Sequence, residues 1–228
     1  MNGDGREDVY ICGAKDIPGT LLLQEPGGSF RASNVSLFEK DRLSEDTDCA
    51  FFDADGDGDM DLYVTSGGNE FSSSASALSD RLYFNQGNGT FIRSKQALPI
   101  ARYESSSCVA PADYDGDGDI DLFVGIRLIP FAYGVPVNGY LLENNGKGVF
   151  TNVSATRAPM LQQIGMITDM TWADVDGDND PDMVIVGDWM PVKILLNDHG
   201  NFTDASEKYG LQQTGGWWHT VIAKDLNG

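Results

Sequence analysis

The chain has 228 residues, of which 35 are acidic and 15 are basic, so its formal net charge is −20 at pH 7. This charge disfavours nucleic acids and anionic membrane surfaces as partners, and no apolar run approaches the roughly 18 residues of a transmembrane helix. Three cysteines do not make a disulfide framework, and the length suits one all-β domain or part of a larger one.

An incomplete acidic loop is the first element in chain order. It spans residues 2–8 and leads into a short apolar run. It lacks the first aspartate of the complete loops that follow, so we expect it to bind a metal ion only weakly. Its expected ligands are Asn2, Asp4 and Asp8, with Arg6 at the position that supplies a backbone carbonyl in the complete loops. The sequence begins and ends inside such loops, as expected of a piece of a longer array.

Three complete acidic loops follow, each with five aspartates in nine residues. So many carboxylates repel one another strongly unless a cation lies among them. The glycines between them permit a tight curl that points the carboxylates at one centre, and Asn179, which replaces one glycine in the third loop, tolerates the same backbone. The aspartates are Asp53, Asp55, Asp57, Asp59 and Asp61; Asp113, Asp115, Asp117, Asp119 and Asp121; and Asp174, Asp176, Asp178, Asp180 and Asp182.

The expected ion is Ca²⁺. Side chains at loop positions 1, 3, 5 and 9 and the backbone carbonyl at position 7 offer oxygen only, which suits Ca²⁺ at roughly 2.3–2.6 Å. An EF-hand is excluded because position 12 is Val64, Val124 or Ile185 instead of glutamate, and a strand pattern follows each loop. The alternative is that the loops are merely acidic turns.

Each loop lies between two strand-like segments, and two more follow around a glycine turn that ends in an aromatic residue. The segments that enter the loops are 48–52, 108–112, 168–173 and 217–223. The strands that leave the loops begin at Val9, Leu62, Leu122 and Met183. The third segments are 21–23, 82–84, 140–142 and 194–196, and the turns before the fourth end at Phe30, Phe91, Phe150 and Phe202. This pattern predicts an up-and-down four-stranded antiparallel sheet in each repeat.

Loop starts at residues 53, 113, 174 and 225 give a period of 51 to 61 residues. Radially repeated four-stranded sheets of this period are typical of a β-propeller. We therefore predict an all-β fold in one domain, residues 1–228, with about four blades over residues 1–47, 48–106, 107–166 and 167–228. A single blade cannot bury both of its faces, so the blades are expected to stack.

The acidic loops followed by apolar strands, with glycine turns between them, resemble the FG-GAP and VCBS repeats of integrin alpha-subunit propellers and secreted bacterial proteins. Segments 121–125, 81–85 and 216–218 are most similar to bacterial VCBS repeat proteins related to cartilage acidic protein. The resemblance implies a seven- or eight-bladed propeller with calcium on one rim. The four repeats are then an arc of a larger ring, half of a ring completed by a second copy, or a closed four-bladed ring.

We expect an extracellular or cell-surface protein, because free Ca²⁺ is plentiful outside cells. Its expected role is a non-enzymatic binding, adhesion or scaffold module. The partner, a protein or a carbohydrate, is expected on the face opposite the calcium loops, where the long connections 66–79, 94–106, 125–139 and 155–165 emerge. The apolar segment 126–136 predicts either an interface or packing on a neighbouring blade, and Trp217 and Trp218 are expected in the core between blades.

Two alternatives stay open. A self-assembling extracellular structural subunit is one. The other is a polysaccharide-active, lyase-like enzyme, for which Arg127, Tyr133 and His219 are the nominal proton acceptors. The chain has only two histidines and no serine nucleophile motif, and most of its acidic residues are assigned to the loops. We therefore predict that it is not an enzyme.

Overall fold

The computed structural model describes residues 1–72, 75–96, 98–100 and 104–226. Four antiparallel sheets lie within these residues. Three parts of the chain lie outside the described residues. They are Ser73 and Ser74 of the connection 66–79, residues 97 and 101–103 of the connection 94–106, and the last two residues of the C-terminal partial loop.

The sheets follow one another along the chain. The first contains β1 to β3 (Val9–Ile11, Thr20–Gln24 and Phe30–Ser33). The second contains β4 to β7 (Glu45–Phe52, Asp61–Gly67, Arg81–Asn85 and Phe91–Arg93). The third contains β8 to β11 (Ser105–Ala112, Asp121–Leu128, Gly139–Asn144 and Phe150–Asn152). The fourth contains β12 to β15 (Met166–Ala173, Asp182–Met190, Lys193–Asp198 and Asn201–Asp204), with β16 (Gly216–Trp217) paired to β13.

Short helical segments connect the strands. They are α1 (Val35–Phe38), α2 (Ser154–Arg157) and the 3₁₀ turns Glu39–Asp41, Ser76–Leu78, Pro159–Leu161 and Leu211–Gln213. Within the described ranges, no helix is both long enough and apolar enough to cross a membrane.

The predicted up-and-down order is confirmed, because neighbouring strands in the sequence are neighbours in each sheet. In the described residues the first sheet has three strands, without an equivalent of β4, β8 or β12. The expected strand over 217–223 is wrong in extent, because only Gly216–Trp217 forms a ladder. The residues after Trp217 form no further ladder in the described part of the chain. Their backbone makes single bonds instead: the Trp218 N–H donates to the Gly187 carbonyl at 3.3 Å and the Val221 N–H to Asp169 Oδ2 at 2.9 Å.

The apolar core lies between successive sheets. Successive side chains of a strand point to opposite faces of its sheet. In the third sheet, Leu122 and Leu142 therefore pack toward the second sheet, whereas Phe123 and Leu141 pack toward the fourth. A third cluster, which includes Leu21 and residues of β5 and β6, joins the first and second sheets. The predicted stacking of the blades is therefore confirmed for all four sheets.

The first strand of the second, third and fourth sheets is also tied by a hydroxyl group to the segment that follows it in the next repeat. The bonds are Thr47 Oγ1 to the Ser106 carbonyl (2.9 Å), Ser107 Oγ to the Ile167 carbonyl (2.7 Å) and Thr168 Oγ1 to the Trp218 carbonyl (2.7 Å). Donor and acceptor are 59, 60 and 50 residues apart, and each of the first two acceptors immediately precedes the next donor in the sequence. The segment after β16 thus lies against β12 as β12 lies against β8.

Asp80 is a buried carboxylate between the second and third sheets. Its Oδ1 accepts the N–H of Ser66 at 2.8 Å, and its Oδ2 accepts the hydroxyl groups of Tyr63 and Ser106, each at 3.1 Å. Burial nevertheless raises the pKa of Asp80 from its ordinary value of 3.8 to about 6. The folded protein therefore holds a proton on this group at a pH where the unfolded chain has lost it.

Replacement Asp80→Asn should reveal this proton as a pH-dependent stability. The contribution of protonated Asp80 is fully present below pH 3.8 and is lost as the pH rises through about 6. The free energy of unfolding of the parent relative to Asp80→Asn should fall by about 2.4 kcal/mol between pH 4 and pH 7. Urea unfolding at a series of pH values in chelator measures it, and a difference that does not change with pH would contradict the assignment.

Candidate metal centres

The acidic loop at residues 113–121 is curled by bonds to its own backbone. Asp113 accepts the N–H groups of Gly116 at 2.9 Å and Gly118 at 3.1 Å, and Asp117 accepts that of Asp119 at 2.8 Å. Gly116 and Gly118 have positive φ angles of 76° and 93°, which a residue with a Cβ rarely adopts. The predicted dependence of the curl on glycine is confirmed.

The other two complete loops have the same internal bonds. Asp53 accepts the N–H groups of Gly56 and Gly58, and Asp174 accepts those of Gly177 and Asn179. Asn179 has a φ of 74°, as expected for the residue that replaces a glycine. Three loops far apart in the sequence therefore have one geometry.

Each complete loop gathers three carboxylates whose oxygen atoms lie within 4.8 Å of one another. The groups are Asp53, Asp55 and Asp57; Asp113, Asp115 and Asp121; and Asp174, Asp176 and Asp182. The other expected carboxylate ligands, Asp61, Asp117 and Asp178, lie in the same loops but outside these groups. Ligation by each of these side chains stays a prediction.

The aspartate at loop position 7 turns toward the glycine turn of its own sheet. Asp180 Oδ2 accepts the N–H of His199 at 2.9 Å, and the carboxylates of Asp59 and Asp119 lie beside Gly87 and Gly146. These contacts place the acidic loops and the glycine turns at the same end of each sheet, as the topology predicts. The expected contribution of a backbone carbonyl at position 7 stays a prediction.

The aspartate at loop position 9 is the most buried member of each loop. Burial, together with the neighbouring loop carboxylates, raises the pKa of Asp61 to about 6 and that of Asp121 to about 7. The pKa of Asp182 is raised by the same causes. Without a cation, the loops therefore hold negative charge that is both desolvated and self-repelling.

The donor atoms of these loops fit Ca²⁺. Asp55 Oδ1 and Asp121 Oδ2 are buried, and neither accepts a hydrogen bond from any described residue. A buried carboxylate oxygen without a donor is costly. Both atoms belong to the clustered loops, whose side chains offer only oxygen, the ligand that Ca²⁺ prefers. A divalent cation would pair the unpartnered oxygens and offset the repulsion.

The N-terminal partial loop differs from the complete ones. Asp4 accepts hydrogen bonds from the Arg6 guanidinium and from Asn2 Nδ2, the latter at 2.9 Å. Asp8 Oδ1 accepts the N–H of Gln24 at 2.9 Å, and Asp8 Oδ2 lies 3.4 Å from the amino group of Met1. Cationic groups of the chain itself therefore face both carboxylates. The expected weak fourth site, which uses Asn2, Asp4, Asp8 and Arg6, stays a prediction.

A fourth cluster lies in the last glycine turn and was not predicted as a metal group. It comprises Asp180, Asp198 and His199. His199 Nδ1 is 3.1 Å from Asp180 Oδ2 and 3.2 Å from Asp198 Oδ1. Asp198 and His199 are exposed, so water can solvate them fully. The sequence signal was a histidine beside an aspartate in a turn, which is weak by itself.

Three asparagines, Asn85, Asn144 and Asn197, each join an acidic loop to the neighbouring sheet. The sequence pattern predicts them only as turn residues. Asn144 donates through Nδ2 to the carbonyls of Ala54 (2.8 Å) and Ile120 (3.0 Å), and its N–H donates to Asp121 Oδ1 (2.8 Å). Asn85 and Asn197 make the equivalent three bonds. The only sequence signal was the recurrence of asparagine at the start of each glycine turn.

Comparison with known families finds one match, described as FG-GAP-like repeat, over residues 1–64, 67–124, 131–185 and 174–228. These segments cover nearly the whole chain. No curated protein matches the sequence significantly.

Proposed function

The chain belongs to the FG-GAP-like repeat family, and from that premise we propose that it is an extracellular, calcium-stabilised β-propeller module that binds or anchors a partner without catalysing a reaction. The proposal includes a larger ring of seven or eight blades, of which these four sheets are a part. It also includes the closer relationship to bacterial VCBS repeat proteins related to cartilage acidic protein.

The observation that carries the proposal is the cluster of three carboxylates in each of the three complete loops, two of which also contain a buried carboxylate oxygen without a donor in the described part of the chain. Asp121 Oδ2 and Asp55 Oδ1 lie in two different sheets and in equivalent loops. These two oxygens belong to different loop positions, 3 for Asp55 and 9 for Asp121, whereas the carboxylate clusters recur in all three complete loops. A cation site in each loop accounts for the clusters and for both oxygens. The carboxylates of loop positions 1, 3, 5 and 9 would hold each ion.

A bound Ca²⁺ supplies positive charge to the loop and nothing more in this mechanism. The residues of the chain then transmit the order of the loop to the neighbouring sheet. Asn144 contacts both its own loop, at Asp121 and Ile120, and the preceding loop, at Ala54. A loop that is held rigid therefore also holds the boundary between two sheets.

The absence of catalysis is proposed from the surroundings of the nominal proton acceptors. Tyr133 donates its hydroxyl group to Asp188 Oδ2 at 2.9 Å, and Arg127 Nε donates to the same oxygen at 2.9 Å. Burial and the bond to Asp188 raise the pKa of Tyr133, which makes the phenolate less accessible near neutral pH. A lyase base would need the opposite shift.

An extracellular location is supported by the chemistry of the loops. Oxygen-only sites with modest affinity fill readily where Ca²⁺ is abundant, as it is outside cells. The net charge of −20 favours the same assignment, because such a chain gains most from a high concentration of divalent cations. The proposed partner surface is the end of the sheets opposite the loops.

Calorimetric titration of metal-free protein with Ca²⁺ tests the proposal. We expect a stoichiometry of three ions, one for each complete loop, and we expect Asp115→Asn to remove one of them. Glu207→Gln, which changes an exposed carboxylate outside the loops and outside every carboxylate cluster, serves as the matched control and should leave the stoichiometry unchanged. Absence of binding, or equal effects of the two substitutions, would overturn the proposal.

A further inference from the structure

Three aromatic side chains form an exposed cluster at the end of the third and fourth sheets opposite the acidic loops. Tyr133, Trp189 and Trp217, here called the aromatic platform, are 41%, 60% and 59% exposed. The ring centroids of Tyr133 and Trp189 are 5.2 Å apart, and those of Trp189 and Trp217 are 6.0 Å apart. Trp218 is also 40% exposed. No sheet follows it in the described residues, so the expectation that Trp217 and Trp218 lie in the core between blades stays a prediction.

The backbone holds Trp189 on the surface at a cost. Trp189 has a φ of 56°, which is an outlier for a large side chain, and the register of β13 against β16 shifts between Asp188 and Met190. Both flanking residues are buried, so the shift directs the indole alone toward solvent. Strain that exposes a large aromatic ring is the kind of feature that points to function.

A buried carboxylate anchors the platform. Asp188 is 2% exposed and accepts the Tyr133 hydroxyl group and Arg127 Nε on one oxygen. Its other oxygen, Oδ1, is buried and has no donor among the described residues. Arg127 is thereby fixed in position beside the rings, and its side chain is 39% exposed to solvent.

A polar cleft of about 360 Å³ adjoins the platform through Arg127. Its volume is within the range of ligand sites. Its walls are mostly hydroxyl and amide groups, with one residue each of arginine, glutamate and histidine. The polar lining residues are Glu45, Thr47, Asn69, Ser105, Ser106, Ser107, Arg127, Thr168 and His219. Platform and cleft together present stacking surfaces beside a cleft lined mainly by hydroxyl and amide groups.

We propose that this surface binds a neutral carbohydrate chain. The apolar C–H face of a pyranose ring packs on Trp189 and Trp217, and the sugar hydroxyl groups bond to Arg127 and the cleft residues. The net charge of −20 opposes an anionic polysaccharide, whereas a polyhydroxylated neutral ring matches both the exposed aromatic area and the hydroxyl-lined cleft. The inference rests on the proposed binding role and specifies its ligand.

Affinity electrophoresis and tryptophan fluorescence with soluble mixed-linkage β-glucan, xyloglucan and galactomannan test this site in calcium-containing buffer. We expect at least one glycan to retard the protein and shift its fluorescence. Trp189→Ala and Trp217→Ala should each weaken that binding by about tenfold or more. Phe30→Ala, which removes an exposed aromatic ring from the first sheet, is the matched control and should bind as the parent does.

Other results would overturn the inference. They are no retardation by any of the three glycans, equal binding by Trp189→Ala and the parent, or platform-dependent binding of a polyproline peptide instead of a glycan. Melting curves of each variant with Ca²⁺ and with chelator distinguish the two proposals. A calcium-dependent melting temperature without glycan binding would reject the ligand and leave the calcium-stabilised module standing.

Discussion

Removal of Ca²⁺ by a chelator is expected to lower the melting temperature of this protein by roughly 20 °C. When the free Ca²⁺ concentration is 100 times the dissociation constant of a site, binding stabilises the folded state by about 2.7 kcal/mol. Three equivalent sites therefore contribute about 8 kcal/mol. For a chain of this length, 1 kcal/mol corresponds to roughly 2–4 °C. Thermal unfolding followed by circular dichroism, in excess Ca²⁺ and in chelator, measures the shift.

The expected size of this shift depends on both the charge and the burial of the loop carboxylates. Asp61 and Asp121 are fully buried in their loops, and their raised pKa values show that the folded state disfavours their charge. A cation removes this penalty in the folded state, whereas an unfolded chain cannot bring the same carboxylates together. The stabilisation should therefore saturate with Ca²⁺ concentration. Mg²⁺ should replace it poorly, because Mg²⁺ is smaller and loses its water reluctantly.

One substitution separates a ligand from a structural residue. Asp115→Ala should lose about a third of the calcium-dependent increment, about 2.7 kcal/mol, while its melting temperature in chelator should change little. Glu207→Gln, at an exposed residue outside every carboxylate cluster, should keep the full increment. An equal loss for Asp115→Ala in both conditions would show that Asp115 acts through the fold and not as a ligand, and an unchanged parent melting curve in chelator would contradict the whole account.

The strands and acidic loops could be predicted because their signals are local. The glycines at positions 116 and 118 must take positive φ wherever the loop curls, and the alternation of Leu122 and Phe123 assigns them to opposite faces of one strand. Both signals act within a few residues and recur in each repeat. The sheets and loops therefore follow from spacing alone.

The features that could not be predicted depend on contacts between distant segments. Asn144 bonds to Ala54, 90 residues away, and Tyr133 and Trp189 meet only because two sheets stack. The same holds for the 217–223 segment, whose strand tendency is real but meets no ladder beyond Trp217 in the described residues. Propensity specifies a strand only where a partner strand is present.

Arg81 is the second site at which a large effect is expected, because its ion pair with Asp46 is almost completely buried. The two side chains are 3% and 2% exposed. Asp46 also joins the first sheet to the second, since its Oδ2 accepts the Gly13 N–H at 2.7 Å and the Tyr10 hydroxyl group at 3.1 Å. Arg81 further donates to Ser66 Oγ at 3.0 Å. Loss of the guanidinium leaves a buried carboxylate at the boundary between two sheets.

Arg81→Met should therefore lower the free energy of unfolding by about 3–5 kcal/mol, the cost of an unpaired buried charge, as measured by urea unfolding in calcium-containing buffer. Adding Asp46→Asn to Arg81→Met should restore much of this loss, because the neutral amide leaves no unpaired charge. Arg42→Met, which breaks the exposed pair with Glu39, should cost less than about 1 kcal/mol. If Arg81→Met cost no more than Arg42→Met, or if the double variant showed the sum of the single effects, the buried pair would not hold the first two sheets together.

A loss confined to the first sheet should also make residues 1–44 the first part of the chain to be cut by a protease, because the bonds from Asp46 to Tyr10 and Gly13 would weaken before the other three sheets separate.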